Sequence, residues 1–253
     1  MNGGDILMSF EYIDEVKELL EIVEKEEKEA IDGVVDVLTI AIEEKRSIYA
    51  FGASHAGLLA QELYYRAGGL MTVTPIFGES VMVDVSPVTH TTDMERLVGY
   101  GTVLAKRTGF KKGDVLILHS VSGRNPVTIE LAMEAQKSGV TTIGLTSMEY
   151  SKSVSSRHPS GKNLYAYCDI ILDNHGEIGD GACTIPGMEQ KVGPTSTVIG
   201  ATILNTIVVE TVKKLRENGM ENPPIFYSAN LEEGDQLNQQ LFEEYKENIH
   251  YEF

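Results

Sequence analysis

The sequence predicts a three-layer α/β/α protein in which a five-stranded parallel sheet lies between helices. Short apolar segments alternate with longer amphipathic segments, which is the pattern of strand–helix–strand units. Five of the short segments are rich in apolar or β-branched residues, as expected of buried strands. The 253 residues suffice for one large domain with a substantial core. We therefore expect a single domain over 1–253, with extra helices at both ends.

Two helices are predicted before the sheet, over 10–30 and 31–45. In the first, apolar residues recur at steps of three and four while acids fill the opposite face. The apolar stripe of this helix consists of Ile13, Val16, Leu19, Leu20 and Val23. The second helix has a stripe of the same kind, made by Val34, Val35, Leu38 and Ile42. The two together predict an N-terminal helical layer over 10–45.

The core of the domain is predicted over 46–217. It opens with a strand over 47–52 that ends in glycine, followed by a helix over 54–67 that a Gly-Gly pair closes. A second strand is predicted over 71–76. This strand contains Pro75, which has no backbone donor, and its end therefore belongs at a margin of the sheet.

The second half of the core contains the clearest strand of the chain, over 114–119. The helix predicted over 126–138 begins with proline and is followed by glycine, which is the expected asymmetry of helix ends. Two further strands are predicted over 140–146 and 168–172, and the polar segment 150–163 between them is predicted to be a loop.

A long helix over 195–217 completes the predicted core. Its first residues are small, and two consecutive prolines break the chain after it. A final acidic helix is predicted over 235–246, outside the core.

The charge distribution excludes several classes of function. The formal net charge is −17, and acids concentrate in 1–30 and 231–253. Clustered Lys and Arg would be needed for nucleic acid, so no nucleic-acid partner is expected. No uncharged apolar run reaches the ~18 residues of a membrane helix, and the N-terminus does not resemble a signal peptide, so no membrane partner is expected. Two cysteines, Cys168 and Cys183, make no disulfide framework, which favours a reducing, cytoplasmic location.

Three junctions between a strand or loop and a helix are rich in Gly, Ser and Thr. They are 52–55, 120–126 and 193–197. Small hydroxyl side chains and free backbone amides at helix starts form a cradle for an anion, and no net positive charge is needed for this. Ordinary helix capping is the alternative explanation for each junction. The candidate binding residues are Gly52, Ser54, Ser120, Ser122, Gly123, Arg124, Asn125, Thr195 and Ser196.

Two segments resemble a known family. HSVSGRNPVTIELAMEAQKSGVTTIGLTS, residues 119–147, resembles the signature of SIS (sugar isomerase) domains, and FGASHAGLLAQELYYRAGG, residues 51–69, resembles their first strand, loop and helix. The phosphoheptose isomerase branch is the most similar. The resemblance implies a flavodoxin-like sheet, a phosphorylated sugar as ligand, and a homodimer or homotetramer. It also implies that the serines and Thr195 among the candidate residues contact the phosphate.

The same resemblance implies a catalytic Glu on the first core helix and a His near the last helix, often with a metal. Glu62 is the only acid on the first of these helices, and the last one contains no His. The candidate catalytic residues are Glu62, His55, His175, Glu177 and Glu189. For Glu62 the alternative is a simple ion pair with Arg66, four residues on. His119 ends a buried strand and is interpreted as a core histidine.

The Gly-rich segment 173–197 is long for a loop of a compact domain, which favours a functional role. His175, Glu177 and Asp180 lie close together in it, but their spacing is not that of a known metal site, so we expect no metal and no cofactor.

Three functions remain open at this point. The first is a sugar-phosphate isomerase that moves a proton between adjacent carbons through an enediol. The second is a non-catalytic phosphosugar sensor that acts on a protein partner. The third is a lyase or etherase of an amino-sugar phosphate.

Overall fold

Five parallel strands form the centre of the structure, a computed structural model that describes residues 10–230 and 232–252. The strands are β1 (Ile48–Gly52), β2 (Val73–Pro75), β3 (Val115–His119), β4 (Thr141–Thr146) and β5 (Ile170–Asp173). Their order across the sheet is β2-β1-β3-β4-β5, and every pair is parallel. This order is the flavodoxin-like one, and it confirms the predicted fold class. β2, which contains Pro75, is an edge strand as expected.

Helices cover both faces of this sheet. They are α1 (Glu11–Glu26), α2 (Lys28–Glu43), α3 (Gly57–Glu62), α4 (Thr89–Arg96), α5 (Tyr100–Thr108), α6 (Pro126–Lys137), α7 (Met148–Ser153), α8 (Ser196–Glu217) and α9 (Gly234–Tyr245). One apolar core joins the sheet to α2, α3 and α8, and the other joins it to α5 and α6. Along β3, Val115 and Ile117 enter the first core while Leu116 and Leu118 enter the second. β1 and β3 are apolar over most of their length because their residues enter both cores.

The predicted N-terminal helices meet earlier than expected. The first ends at Glu26 and the second begins at Lys28, with Glu27 between them outside ideal helical geometry. Glu27 is 8% exposed, and its carboxylate accepts hydrogen bonds from the Asp173 backbone amide and the His175 ring. A buried carboxylate held by two partners therefore fixes the junction, and the apolar stripe gives no sign of this.

The prediction of a helix over 54–67 is wrong in its second half. The segment begins with a 3-10 turn over Ser54–Ala56 and continues as α3, which ends at Glu62. Tyr65 then adopts a left-handed backbone conformation with φ of 44°. The Gly-Gly pair exchanges backbone hydrogen bonds with Phe226 in the C-terminal part of the chain instead of capping a helix.

The sequence does not predict several elements of the structure. α4 is polar and rich in threonine, so it has no apolar stripe to reveal it. α5 follows it, and the buried carboxylate of Glu130 accepts from the Gly99 and Thr102 backbone amides at its start. α7 overlaps the predicted loop 150–163. The segment 173–197 contains a two-stranded antiparallel hairpin of β6 (Gly181–Cys183) and β7 (Val192–Pro194). No helix within 10–230 and 232–252 has the length and apolar character needed to cross a membrane.

Candidate functional site

The predicted binding loops meet at the carboxyl edge of the sheet. β1 and β3 are neighbours, and Gly52 at the end of β1 stands in register with His119 at the end of β3. The chain leaves β1 toward β2 on one side and leaves β3 toward β4 on the other. The crevice between two such strands is where open α/β sheets bind ligands.

The loop between β3 and α6 is an open cradle. The hydroxyl groups of Ser120 and Ser122 make no side-chain hydrogen bond to any part of the chain that the structure describes, and Ser120 is 9% exposed. Asn125, the residue before α6, provides no side-chain cap to this 12-residue helix. Its first amides are therefore left without a side-chain acceptor, and the helix dipole adds positive potential there.

Gly123 shapes this loop. Its φ is +60°, in the left-handed region that favours glycine, and an added Cβ would lie 2.9 Å from the Ser151 hydroxyl oxygen. Its carbonyl accepts from the Leu164 amide at 2.8 Å, which ties the loop to the body of the protein. The hydrogen bond from Leu164 therefore helps to fix the position of the cradle.

At the start of α8, unlike the start of α6, a side chain of the protein itself occupies the donors that could bind an anion. One Asp180 carboxylate oxygen accepts from the Thr195 and Ser196 backbone amides at 3.2 and 2.8 Å. The other accepts from the Ser196 hydroxyl at 2.6 Å. The donors that the sequence assigns to a phosphate at Thr195 and Ser196 therefore face a carboxylate of the same chain. The sequence brings Asp180 forward only as a possible metal ligand. No sequence signal marks it as the cap of a helix that begins fifteen residues later.

The loop after β1 brings Ser54 and His55 to the same edge. Ser54 has φ of 58°, and no described residue takes its side chain as a hydrogen-bond partner. The His55 side chain is exposed. Gly52 is required beneath them, because a Cβ there would lie 2.2 Å from the Ala56 carbonyl oxygen. α3 has six residues, too few for its N-terminus to serve as an anion site, so this loop supplies side chains alone.

His119 lies beneath the two loops and is 3% exposed. Its Nδ1 is 3.0 Å from the Ala56 carbonyl oxygen, which only accepts, so Nδ1 carries the hydrogen. Nε2 is then an acceptor, and it has no partner among the described residues. Burial lowers the pKa of His119 from its ordinary 6.5 to about 4, and the ring is neutral near pH 7. The interpretation as a core histidine holds, but one of its nitrogens is unsatisfied.

This lowered pKa makes part of the folding stability depend on pH. Because the folded state holds the proton less tightly than the unfolded state, the stability from neutral His119 is complete above pH 6.5 and declines as the pH falls toward 4. In His119→Asn an amide nitrogen can still donate to Ala56, but no ring titrates. Between about pH 7 and pH 5 we expect the wild type to lose about 2 kcal/mol more unfolding free energy than this variant, measured by urea unfolding. Parallel pH curves for the two proteins, with His55→Asn as the exposed control, would contradict the assignment.

Glu62 lies at the end of α3 against α8. Its Oε1 accepts from Asn205 Nδ2 at 2.9 Å and forms an ion pair with Arg66, and its side chain is 31% exposed. The predicted pair with Arg66 is thus present, but Glu62 does not simply face solvent. Asn205 belongs to an exposed stripe of α8 that lines an open groove. The members of this α8 stripe are Val198, Ala201, Thr202, Asn205, Thr206 and Val209.

The other catalytic candidates are dispersed. His175 Nε2 lies 2.9 Å from Glu27 Oε1, so this histidine fastens the α1–α2 junction to the end of β5. Glu177 forms an ion pair with Lys191, and Glu189 is exposed. Within 10–230 and 232–252 no three His, Cys, Asp or Glu side chains are arranged to hold a metal.

Arg124 and Asn125 are held by residues that the sequence did not single out. Arg124 Nε donates to the Ser155 carbonyl at 3.0 Å, and Asn125 Oδ1 accepts from a guanidinium nitrogen of Arg157 at 2.8 Å. The two segments lie about thirty residues apart, and no spacing rule connects them. Arg157 therefore lies beside the phosphate loop, a contact that only the structure reveals.

Comparisons with known proteins agree with this architecture. The sequence profile of the SIS domain matches residues 11–147. A UPF0309 protein of Shouchella clausii is 47% identical over 241 residues, which is 95% of this chain and 98% of the relative. The structure of a phosphoheptose isomerase from Francisella tularensis has a TM-score of 0.54 at 15% identity, covering 80% of this chain and 95% of that one. For the phosphoheptose isomerase GmhA from Neisseria gonorrhoeae the TM-score is 0.51 at 18% identity, covering 81% and 95%. At such identities the likeness to the two structures shows the fold alone.

Proposed function

The chain belongs to the SIS domain family, and on that premise we propose that its β3–α6 loop binds the phosphate group of a phosphorylated sugar. One observation carries the proposal. Of the three predicted anion cradles, the one at α6 combines a free helix N-terminus with two unpartnered serine hydroxyls, whereas Asp180 fills the one at α8. Hydroxyl and amide donors together match the three acceptor oxygens of a phosphate.

The neighbouring loop places the rest of the sugar. Ser54, in its left-handed conformation, offers a third hydroxyl at the same edge of the sheet, and His55 follows it at the surface. β1 and β3 are adjacent, so a sugar whose phosphate lies at Ser120 and Ser122 extends over the Ser54 loop. The buried Nε2 of His119 lies below this crevice as an acceptor.

We further propose that the protein isomerises this sugar phosphate. A base takes the proton from the carbon next to the carbonyl and the carbonyl oxygen is protonated, which gives an enediol. The carbon-bound proton is then returned to the former carbonyl carbon, and the hydroxyl on the first carbon loses its proton to become the new carbonyl. Glu62 is the candidate base, since Asn205 and Arg66 both hold its carboxylate in place. His55 is the candidate for the hydroxyl proton, because His175 is already engaged by Glu27.

The α8 stripe supports a homodimer as the working form. Glu62 is the last residue of α3, eight residues after Ser54, and its carboxylate accepts from Asn205 of α8. The stripe contains exposed Val198 and Val209 and adjoins Glu62 through Asn205. Pairing of two copies along it would bury this face and bring Glu62 of one copy toward the cradle of the other. A monomer by light scattering at micromolar concentration would refute this part of the proposal.

A thermal-shift comparison tests the binding proposal. Fructose 6-phosphate and glucose 6-phosphate are compared with free fructose and glucose, and with inorganic phosphate. A ligand at 100 times its dissociation constant stabilises the folded protein by about 2.7 kcal/mol. We expect the phosphorylated sugars, and not the free sugars, to raise the melting temperature. Equal curves for every phosphorylated and free pair would overturn the proposal.

A further inference from the structure

Three of the seven arginines of the chain converge beside the phosphate cradle. Arg124 and Asn125 belong to the loop itself, and the Arg157 backbone amide donates to the Arg124 carbonyl at 2.9 Å. The Arg157 guanidinium donates to the Asn125 side chain at 2.8 Å. Arg96 lies at the end of α4, and its positive charge acts on both Arg157 and the neighbouring Glu95 carboxyl. We refer to Arg96, Arg124 and Arg157 as the arginine cluster.

Carboxylates of the protein do not neutralise this cluster. Among the residues that the structure describes, the arginines with ion pairs are Arg46 and Arg66, outside the cluster. Burial lowers the pKa of Arg157, and the positive charges of Arg124 and Arg96 lower it further. Burial raises the pKa of the Glu95 carboxyl, against the influence of the Arg96 and Arg157 charges, and Glu95 forms no ion pair with them within 10–230 and 232–252.

Such a cluster is unexpected in this chain. The formal net charge is −17, and like charges held together cost free energy unless an anion joins them. Arginine forks are suited to bind carboxylate and phosphate through paired hydrogen bonds. The serine hydroxyls of the cradle precede Gly123, whereas the arginine cluster contacts the loop after it. The two sets of donors therefore lie on either side of Gly123 and would contact different groups of a ligand.

We propose that the arginine cluster binds a second anionic group of the ligand, so that the protein selects sugar phosphates carrying a carboxylate or a second phosphate. This inference rests on the proposed phosphate site at Ser120 and Ser122, and it narrows the class of sugar. Partial exposure of the guanidinium groups suits an anion that arrives from solvent. A single phosphate spanning both sets of donors, and an acidic protein surface, are the competing occupants.

Matched ligand pairs test the proposal by isothermal titration calorimetry. Fructose 6-phosphate is compared with fructose 1,6-bisphosphate, and glucose 6-phosphate with 6-phosphogluconate. We expect the wild type to bind the doubly anionic member of at least one pair about tenfold more tightly or better, as charge-assisted hydrogen bonds would provide. In Arg96→Gln/Arg157→Gln this preference should vanish while the affinity for the singly phosphorylated member is unchanged.

Three further variants separate binding of a second anion from other causes of a changed affinity. Arg107→Gln removes one exposed charge from α5 and should keep the preference. Arg157→Lys retains the positive charge and should keep most of the preference for the doubly anionic ligand. This variant shows whether the effect of Arg157→Gln comes from the lost charge or only from a displaced Asn125 side chain. Ser120→Ala/Ser122→Ala should weaken both members of each pair, because it removes the phosphate site itself.

Every outcome decides the question. No preference in the wild type, or a preference that survives in Arg96→Gln/Arg157→Gln, overturns the second anion site but leaves the proposed function standing. An equal loss for both members in that variant means that one phosphate spans both sets of donors, which also overturns the second anion site. If the wild type binds no member of either pair, the proposed function fails and this inference fails with it.

Discussion

Replacing Ser120 and Ser122 together with alanine is expected to weaken sugar-phosphate binding about a hundredfold or more. A hydrogen bond to a charged group contributes about 1.5–3 kcal/mol, and this change removes two of them. The folded state loses nothing comparable, because neither hydroxyl has a hydrogen-bond partner within the described part of the chain. Titration calorimetry with fructose 6-phosphate and a urea unfolding curve measure the two effects separately.

Ser138→Ala is the matched control for this experiment. It removes a hydroxyl at the opposite end of the same helix α6, where the side chain donates to the Glu134 carbonyl. We expect its affinity to equal that of the wild type. If the double variant binds as tightly as this control, the phosphate does not lie at the β3–α6 loop.

Glu62→Gln is expected to abolish proton transfer while sparing binding. General base catalysis contributes about 10²–10⁴-fold, and an amide cannot take up the proton. Its size is conserved, and Asn205 and Arg66 can still donate to the amide oxygen. In deuterated water, an isomerase passing through an enediol incorporates deuterium next to the sugar carbonyl, and proton NMR follows this exchange.

Glu177→Gln and Glu189→Gln are the comparisons for the catalytic base. Glu189 is exposed and Glu177 is paired with Lys191, so neither variant should slow the exchange. Full exchange in Glu62→Gln together with its loss in one of these two would move the base into the segment 173–197. Binding without any exchange in the wild type would favour the non-catalytic sensor over the isomerase.

The strands are the part of the fold that the sequence predicts best. β1 and β3 contribute residues to both apolar cores, so they are apolar over most of their length, and Gly52 marks the end of β1. α4 has no such requirement, since it lies at the periphery and Thr91 is its only buried residue. The early end of α3 could not be predicted either, because it depends on pairing of the Gly-Gly segment with Phe226, far along the chain.

The candidate site likewise has a part that the sequence predicts and a part that it does not. The Ser-x-Ser-Gly loop is local, so its residues and its place before α6 follow from the sequence alone. Whether a cradle is free depends on long-range contacts, and Asp180 at the start of α8 is the clearest case. Arg157 reaches Asn125 across about thirty residues, and Glu62 reaches Asn205 across many more. No local spacing records these contacts, so only the folded structure reveals them.

Amide chemical shifts test the central claim most directly, namely that the phosphate lies at the start of α6. The protein is labelled with nitrogen-15, and fructose 6-phosphate is added in steps, with free fructose as the reference. We predict that the amides of Gly123, Val127 and Thr128 shift with the phosphorylated sugar alone, while those of Thr195 and Ser196 stay fixed on Asp180. Shifts at Thr195 and Ser196 without any at Val127 and Thr128 would contradict the account.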